Sequence, residues 1–107
     1  MSKDKEMIKS IYLDDPFIVS MLEPFVVNLP ENFTQISKAM NKCRWNLVSN
    51  IAHQQRGVAA TFGFPTLAEV YRKMEIAAKN DVVSLEEMTD YEKALEKIIK
   101  NISPGLH

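Results

Sequence analysis

Apolar residues recur along the chain at steps of three and four. No stretch shows sustained apolar/polar alternation with β-branched enrichment, so the pattern predicts an all-α protein. Asp14-Asp15-Pro16 offers a capping carboxylate followed by proline at the first helical position, which predicts a short helix over about residues 15–22. A longer helix is expected over about 23–41, with Phe25, Leu29, Phe33, Ile36 and Met40 on one stripe. Pro30 lies inside it and should kink it, or split it with Asn28 as a new cap. The next helix should run over about 44–62 and end at Gly63 in the left-handed conformation. Phe64-Pro65 opens another over about 65–80, striped by Leu67, Val70, Tyr71, Met74, Ala77 and Ala78. Ser84 and Glu87 form a capping box for the last, over about 85–102, whose stripe is Leu85, Met88, Tyr91, Leu95, Ile98 and Ile102. Four amphipathic helices with short connections imply an antiparallel four-helix bundle, with the short extra N-terminal helix laid across one end. Residues 1–10 read as a flexible arm, and no internal repeat or linker interrupts a single domain of 107 residues.

Composition narrows the function classes. Thirteen basic and fourteen acidic residues, spread along the chain, leave no electrostatic footprint for nucleic acid or an anionic membrane. Cys43 is the only cysteine and cannot form an internal disulfide, so a reducing cytoplasm is the expected compartment. Near the turn after the second helix it reads as a small packed residue. No Cys/His cluster has zinc-ligand spacing, and no metal site is expected. The most apolar run, Phe17 to Leu29, is interrupted by Glu23, Pro24 and Asn28 and is not a membrane span. The six methionines read as scattered core fillers, and His107, at the chain end, is given no role.

The chemistry concentrates on the helix over about 44–62. At about 100° per residue, Trp45, Val48, Ile51, Ala52, Val58, Ala59 and Phe62 share one broad side, and His53 falls roughly opposite its middle. The imidazole should therefore face solvent. Its expected outer-face neighbours are Asn46, Ser49, Asn50, Gln54, Gly57, Ala60 and Thr61, all small or neutral, with Arg56 on the flank. A mid-helix glycine is unfavourable by up to about 1 kcal/mol relative to alanine. Gly57, one turn after His53, is thus expected either to admit another protein to the imidazole or to accommodate a bulky neighbour inside the bundle. With the chain reversing near Phe64, positions 53 and 75 fall at similar heights on antiparallel helices. Glu75 could then accept the Nδ1 proton of His53, or stand as a surface carboxylate paired with Lys79. Gln55 sits near the middle of the apolar side, and a buried amide there needs a polar partner.

The string Ala52-His53-Gln54-Gln55-Arg56-Gly57, followed by Val58-Ala59-Ala60-Thr61-Phe62-Gly63-Phe64-Pro65, resembles the signature of histidine-phosphotransfer (HPt) domains. Asp14-Asp15-Pro16, Phe25 through Leu29-Pro30 and Met74-Glu75 fall where that family has similar residues, so the resemblance covers about residues 11–100. Thr61-Phe62-Gly63-Phe64 also resembles the phosphotransfer domain of chemotaxis histidine kinases. The resemblance implies a phosphocarrier, not an enzyme. His53 would take a phosphoryl group on Nε2 and exchange it with the aspartate of a response-regulator receiver domain, the expected partners being such a receiver and a hybrid histidine kinase. Mg²⁺ is expected on the receiver and no cofactor on this chain, which is expected to be a monomer. Arg56 stands where lysine is usual in the family. It would offset phosphoryl charge, with a solvated flanking arginine as the alternative. Gln54, Gly57, Ala60, Asn50 and Ser49 would meet the partner, while Gly63 and Pro65 would shape the turn behind the site. Gln55 departs from the family's usual leucine or isoleucine. Phe17, Ile18 and Met21 would either extend the docking surface or cover the bundle end. The competing function is a non-phosphorylated helical adaptor that regulates a kinase or receiver by binding alone.

Overall fold

The computed structural model describes residues 16–102, apart from the side chains of residues 18 and 19. The flexible arm expected over 1–10, the Asp14-Asp15 cap, the Ile18 side chain and His107 lie outside that description. Four α-helices follow one another: α1 (Pro16–Asn41), α2 (Trp45–Thr61), α3 (Pro65–Ala78) and α4 (Leu85–Asn101). They form the expected four-helix bundle, in which α2 and α3 are the most closely packed pair. Its core is drawn from every helix, with Leu29, Val48, Ala52, Tyr71, Met74 and Leu95 all fully buried.

The short N-terminal helix expected over 15–22 is not a separate element, nor does it lie across the bundle end. It is the first part of α1, which runs unbroken for 26 residues through both Pro24 and Pro30. Each proline lacks the N–H that would reach the carbonyl four residues back. Both prolines lie on the exposed side, where water can satisfy the released carbonyls. On the other side Leu22, Phe25, Leu29 and Ile36 are all buried on one continuous helical stripe. Burial of that stripe favours one continuous helix across both positions, outweighing the local preference to break. Phe25 then stacks on Phe62 and Phe64, with ring centroids 5.1 and 5.8 Å away, fastening α1 to the turn between α2 and α3. Ser37 donates to Glu92 at 2.6 Å and ties the far half of α1 to α4.

Two turns of one design set α2 in place. After α2, Gly63 takes φ 81°, its N–H donates to the Ala60 carbonyl and the Phe64 N–H to the Ala59 carbonyl. Pro65 then begins α3 at a position where no N–H is needed. Before α2, Cys43 takes φ 54°, its N–H donates to Met40 and the Arg44 N–H to Ala39. Cys43 is exposed, in the turn between α1 and α2, which corrects the expectation of a packed residue. Ser84 caps α4 by accepting from the Glu87 N–H at 3.1 Å. Leu85, placed on the buried stripe of the last helix, is 61% exposed because it opens the helix ahead of the first core residue, Met88. Among the described residues no helix is long and apolar enough to cross a membrane.

Candidate functional site

His53 lies midway along α2, on a helix whose buried residues are Val48, Ser49, Ala52 and Ala59. The ring is carried on the flank nearest α3, and its side chain is 61% exposed. On α3 the register set by the Gly63 turn brings Glu75 opposite. Met74 and Ala78 are buried around Glu75, and its own side chain keeps only 8% exposure. Nδ1 of His53 lies 2.9 Å from Glu75 Oε2. Lys79 Nζ also donates to Oε2, at 3.0 Å, so Glu75 makes both contacts weighed for it, but from a buried position and not as a surface carboxylate.

Arg56 completes the cluster. Its Nε lies 3.5 Å from Glu75 Oε1 and its Nη2 lies 3.3 Å from His53 Nδ1. Nδ1 cannot donate to a carboxylate and accept from a guanidinium at once. The carboxylate contact is shorter and charge-assisted, so the favoured tautomer carries its proton on Nδ1 and leaves the lone pair on Nε2. Nε2 has no hydrogen-bond partner among the described residues. Burial pushes the Glu75 carboxyl up, but hydrogen bonds from Lys79 and His53, with the charge of Lys79 behind them, outweigh it and hold it below the ordinary carboxylate range. Glu75 is therefore an acceptor throughout the neutral range.

Beyond the ring the surface is open. A Cβ built on Gly57 meets nothing within 4 Å, so this glycine accommodates no bulky neighbour within the bundle. His53, Gln54, Gly57, Val58, Thr61 and Phe62 line a shallow depression of about 400 Å³. Asn50, Gln54 and Ala60 are exposed as expected from the helical spacing. Ser49 is not: only 4% exposed, it is removed from the outer face on which the spacing placed it.

Val58 errs in the opposite sense. Assigned to the apolar side, it is 36% exposed and, with Phe62, also lines a larger depression between α1 and α2 that takes in Met21, Pro24 and Asn28. Phe17 and Met21 are exposed, at 71% and 42%, and Met21 lines this second depression. Of the two prolines of α1, Pro24 lines this second depression, which also takes in Glu31 and Asn32. Gln55 finds its polar partner there: Asn32 Nδ2 donates to its Oε1 at 3.0 Å.

Comparison with known protein families matches the Hpt domain over residues 20–103. The chain belongs to the Hpt domain family. Hpt domains serve histidine phosphotransfer in phosphorelays and generally work with response-regulator receivers; as a class they are phosphocarriers and not catalysts. No curated protein and no solved structure matches the chain. In this Hpt domain the match covers all of α2, α3 and α4 and begins within the first turns of α1. The assembled cluster of His53, Arg56, Glu75 and Lys79 falls entirely inside it.

Proposed function

We propose that this Hpt domain accepts a phosphoryl group on Nε2 of His53 and exchanges it with the aspartate of a receiver domain, in a relay fed by a hybrid histidine kinase. The observation that carries this reading is the pairing of Nδ1 with Glu75 at 2.9 Å on a ring that is 61% exposed. That pairing leaves the nucleophilic lone pair on the nitrogen facing away from the protein. Neutral imidazole needs little further activation near pH 7.

In the transfer step the Nε2 lone pair attacks the phosphorus of the receiver's aspartyl phosphate. An N–P bond forms as the acyl P–O bond breaks, and the electron pair leaves on the aspartate carboxylate. The proton on Nδ1 stays with the ring, whose new positive charge Glu75 balances. Arg56, 38% exposed beside the ring, can turn its planar fork onto the phosphoryl oxygens. The receiver supplies Mg²⁺ to neutralise the oxygens in line, and this chain needs no resident cofactor. Gly57, with Gln54, Asn50 and Ala60 around it, provides the flat approach for the receiver, in a transient interface of modest size. A monomer suffices for each of these steps.

Incubation with a phosphorylated receiver, or with an active hybrid kinase and Mg²⁺, should label the protein. His53→Gln should abolish the label. Label that persists in His53→Gln would exclude this residue as the acceptor. Tight binding to competent donors without any label would replace the carrier reading with that of a regulatory adaptor.

A further inference from the structure

Glu75 Oε2 serves two donors, while Oε1 faces only the longer Arg56 contact. His53 Nδ1 at 2.9 Å and Lys79 Nζ at 3.0 Å both reach Oε2, whereas Arg56 Nε stands 3.5 Å from Oε1. Two arrangements of these groups therefore compete. In the one observed, Glu75 holds Nδ1–H and Nε2 keeps its lone pair. In the other, the Arg56 fork takes both carboxylate oxygens or donates its Nη2, already 3.3 Å away, to Nδ1. Accepting from Arg56 would force the ring proton onto Nε2 and remove the nucleophile.

What separates the two arrangements is whichever group anchors Oε2 independently of α2. Resting on the carrier reading above, we propose that Lys79 is a positioning residue: by anchoring Oε2 of Glu75 from one turn along α3, it keeps the carboxylate on Nδ1 of His53 and the lone pair on Nε2. The charged or titratable groups facing Glu75 are His53 and Arg56 from α2 and Lys79 from α3. Among the described residues, no ion pair joins Glu75 to α1 or α4. Among the described residues, Lys79, the C-cap of the helix that carries the carboxylate, is thus the only anchor that does not come from α2. Its side chain is 63% exposed, so solvent screens the pair and it adds little to fold stability. A second, plainer use is available to it, because it caps the C-terminal end of α3, where a cation suits the helix dipole.

Ring ¹⁵N spectra of the unphosphorylated full chain near pH 8 distinguish these uses, with the His53 signals assigned by their loss in His53→Gln. The wild type should show the Nδ1–H tautomer. Lys79→Met should shift the ring toward Nε2–H, and Lys79→Arg should restore it. Phosphoryl acceptance should fall about tenfold in Lys79→Met, in kcat and not in KM, as for other groups that orient a reactive ligand from one shell away. Loss of a helix-end charge alone would change the melting temperature and leave the ring spectrum as it was. An unchanged tautomer in Lys79→Met overturns the proposal. The spectra need no phosphoryl donor. A wild type that shows the expected tautomer shift on mutation but never takes label would sink the carrier reading and leave the role of Lys79 standing.

Discussion

The two flanks of α2 solve the same problem with different chemistry. Toward α1, Gln55 meets Asn32 in one neutral amide hydrogen bond of 3.0 Å. Toward α3, His53 meets a carboxylate that two cations also approach, at 3.0 and 3.5 Å. An amide pair satisfies two half-buried groups and stops there, since neither changes protonation. A charged cluster does more: it selects the tautomer of a ring that must react and keeps its own acceptor ionised. The cost of holding Glu75 nearly out of solvent is offset by two hydrogen bonds and the nearby Arg56 guanidinium, where the Asn32–Gln55 pair needs one hydrogen bond.

Breaking the charged flank should have the largest effect. Glu75→Ala removes the acceptor for Nδ1 and should slow phosphoryl acceptance about 10- to 100-fold in single-turnover transfer, the usual range for loss of a group that orients a reactive histidine. Glu75→Gln should fall between, because its carbonyl can still accept from Nδ1. The same pair of proteins tests the electrostatics through pH. The carboxyl of Glu75 is held below its ordinary value in the folded state. Its contribution to stability should therefore be complete above the unfolded pKa of about 4.3 and be lost as pH falls through the lower folded value. Denaturant unfolding should show wild type and Glu75→Gln converging as the solution is acidified below that window. A constant difference would mean that the pairs around Glu75 are not formed in solution.

The open surface between the flanks should respond next. Gly57→Leu fills the approach to the ring and should raise KM for a phosphorylated receiver about tenfold, equivalent to about 1.4 kcal/mol of docking energy. Gly57→Ala, whose Cβ meets nothing within 4 Å, should instead raise stability by up to about 1 kcal/mol in chemical denaturation. Opposite signs for the two measurements would separate the glycine's use in docking from its use in folding. The amide flank should give the smallest response. Asn32→Ala leaves the Gln55 amide half-buried without its partner and should cost about 1 kcal/mol of stability. Transfer rates should stay within about twofold, since this flank shares no partner with His53. A large loss of transfer in Asn32→Ala would erase the distinction between the flanks.

The two turns around α2 show how far such features can be read from residues alone. They share one hydrogen-bond pattern and one left-handed residue each, yet only Gly63 announced itself. Glycine enters that region without a Cβ penalty and so carries a local signal, whereas Cys43 is held there by the helices on either side. The same contrast separates Gly57 from Val58. The first is exposed wherever α2 is helical, and the second only because the groove beside α1 stays open.

Periodicity fixed the helical class and the exposed His53, and the turn near Phe64 fixed the height of Glu75 opposite it, because spacing along a helix determines direction and turn position determines register. Contacts between helices decided the rest. Continuous burial of Leu22, Phe25, Leu29 and Ile36 carried α1 through two prolines, and packing buried Ser49, which spacing along α2 had placed outside. The approach of α3 to α2 also brought Arg56 onto the carboxylate that Lys79 already meets through local helical spacing. Local pattern states where a side chain points, while its environment depends on the residue that a distant part of the chain sets against it.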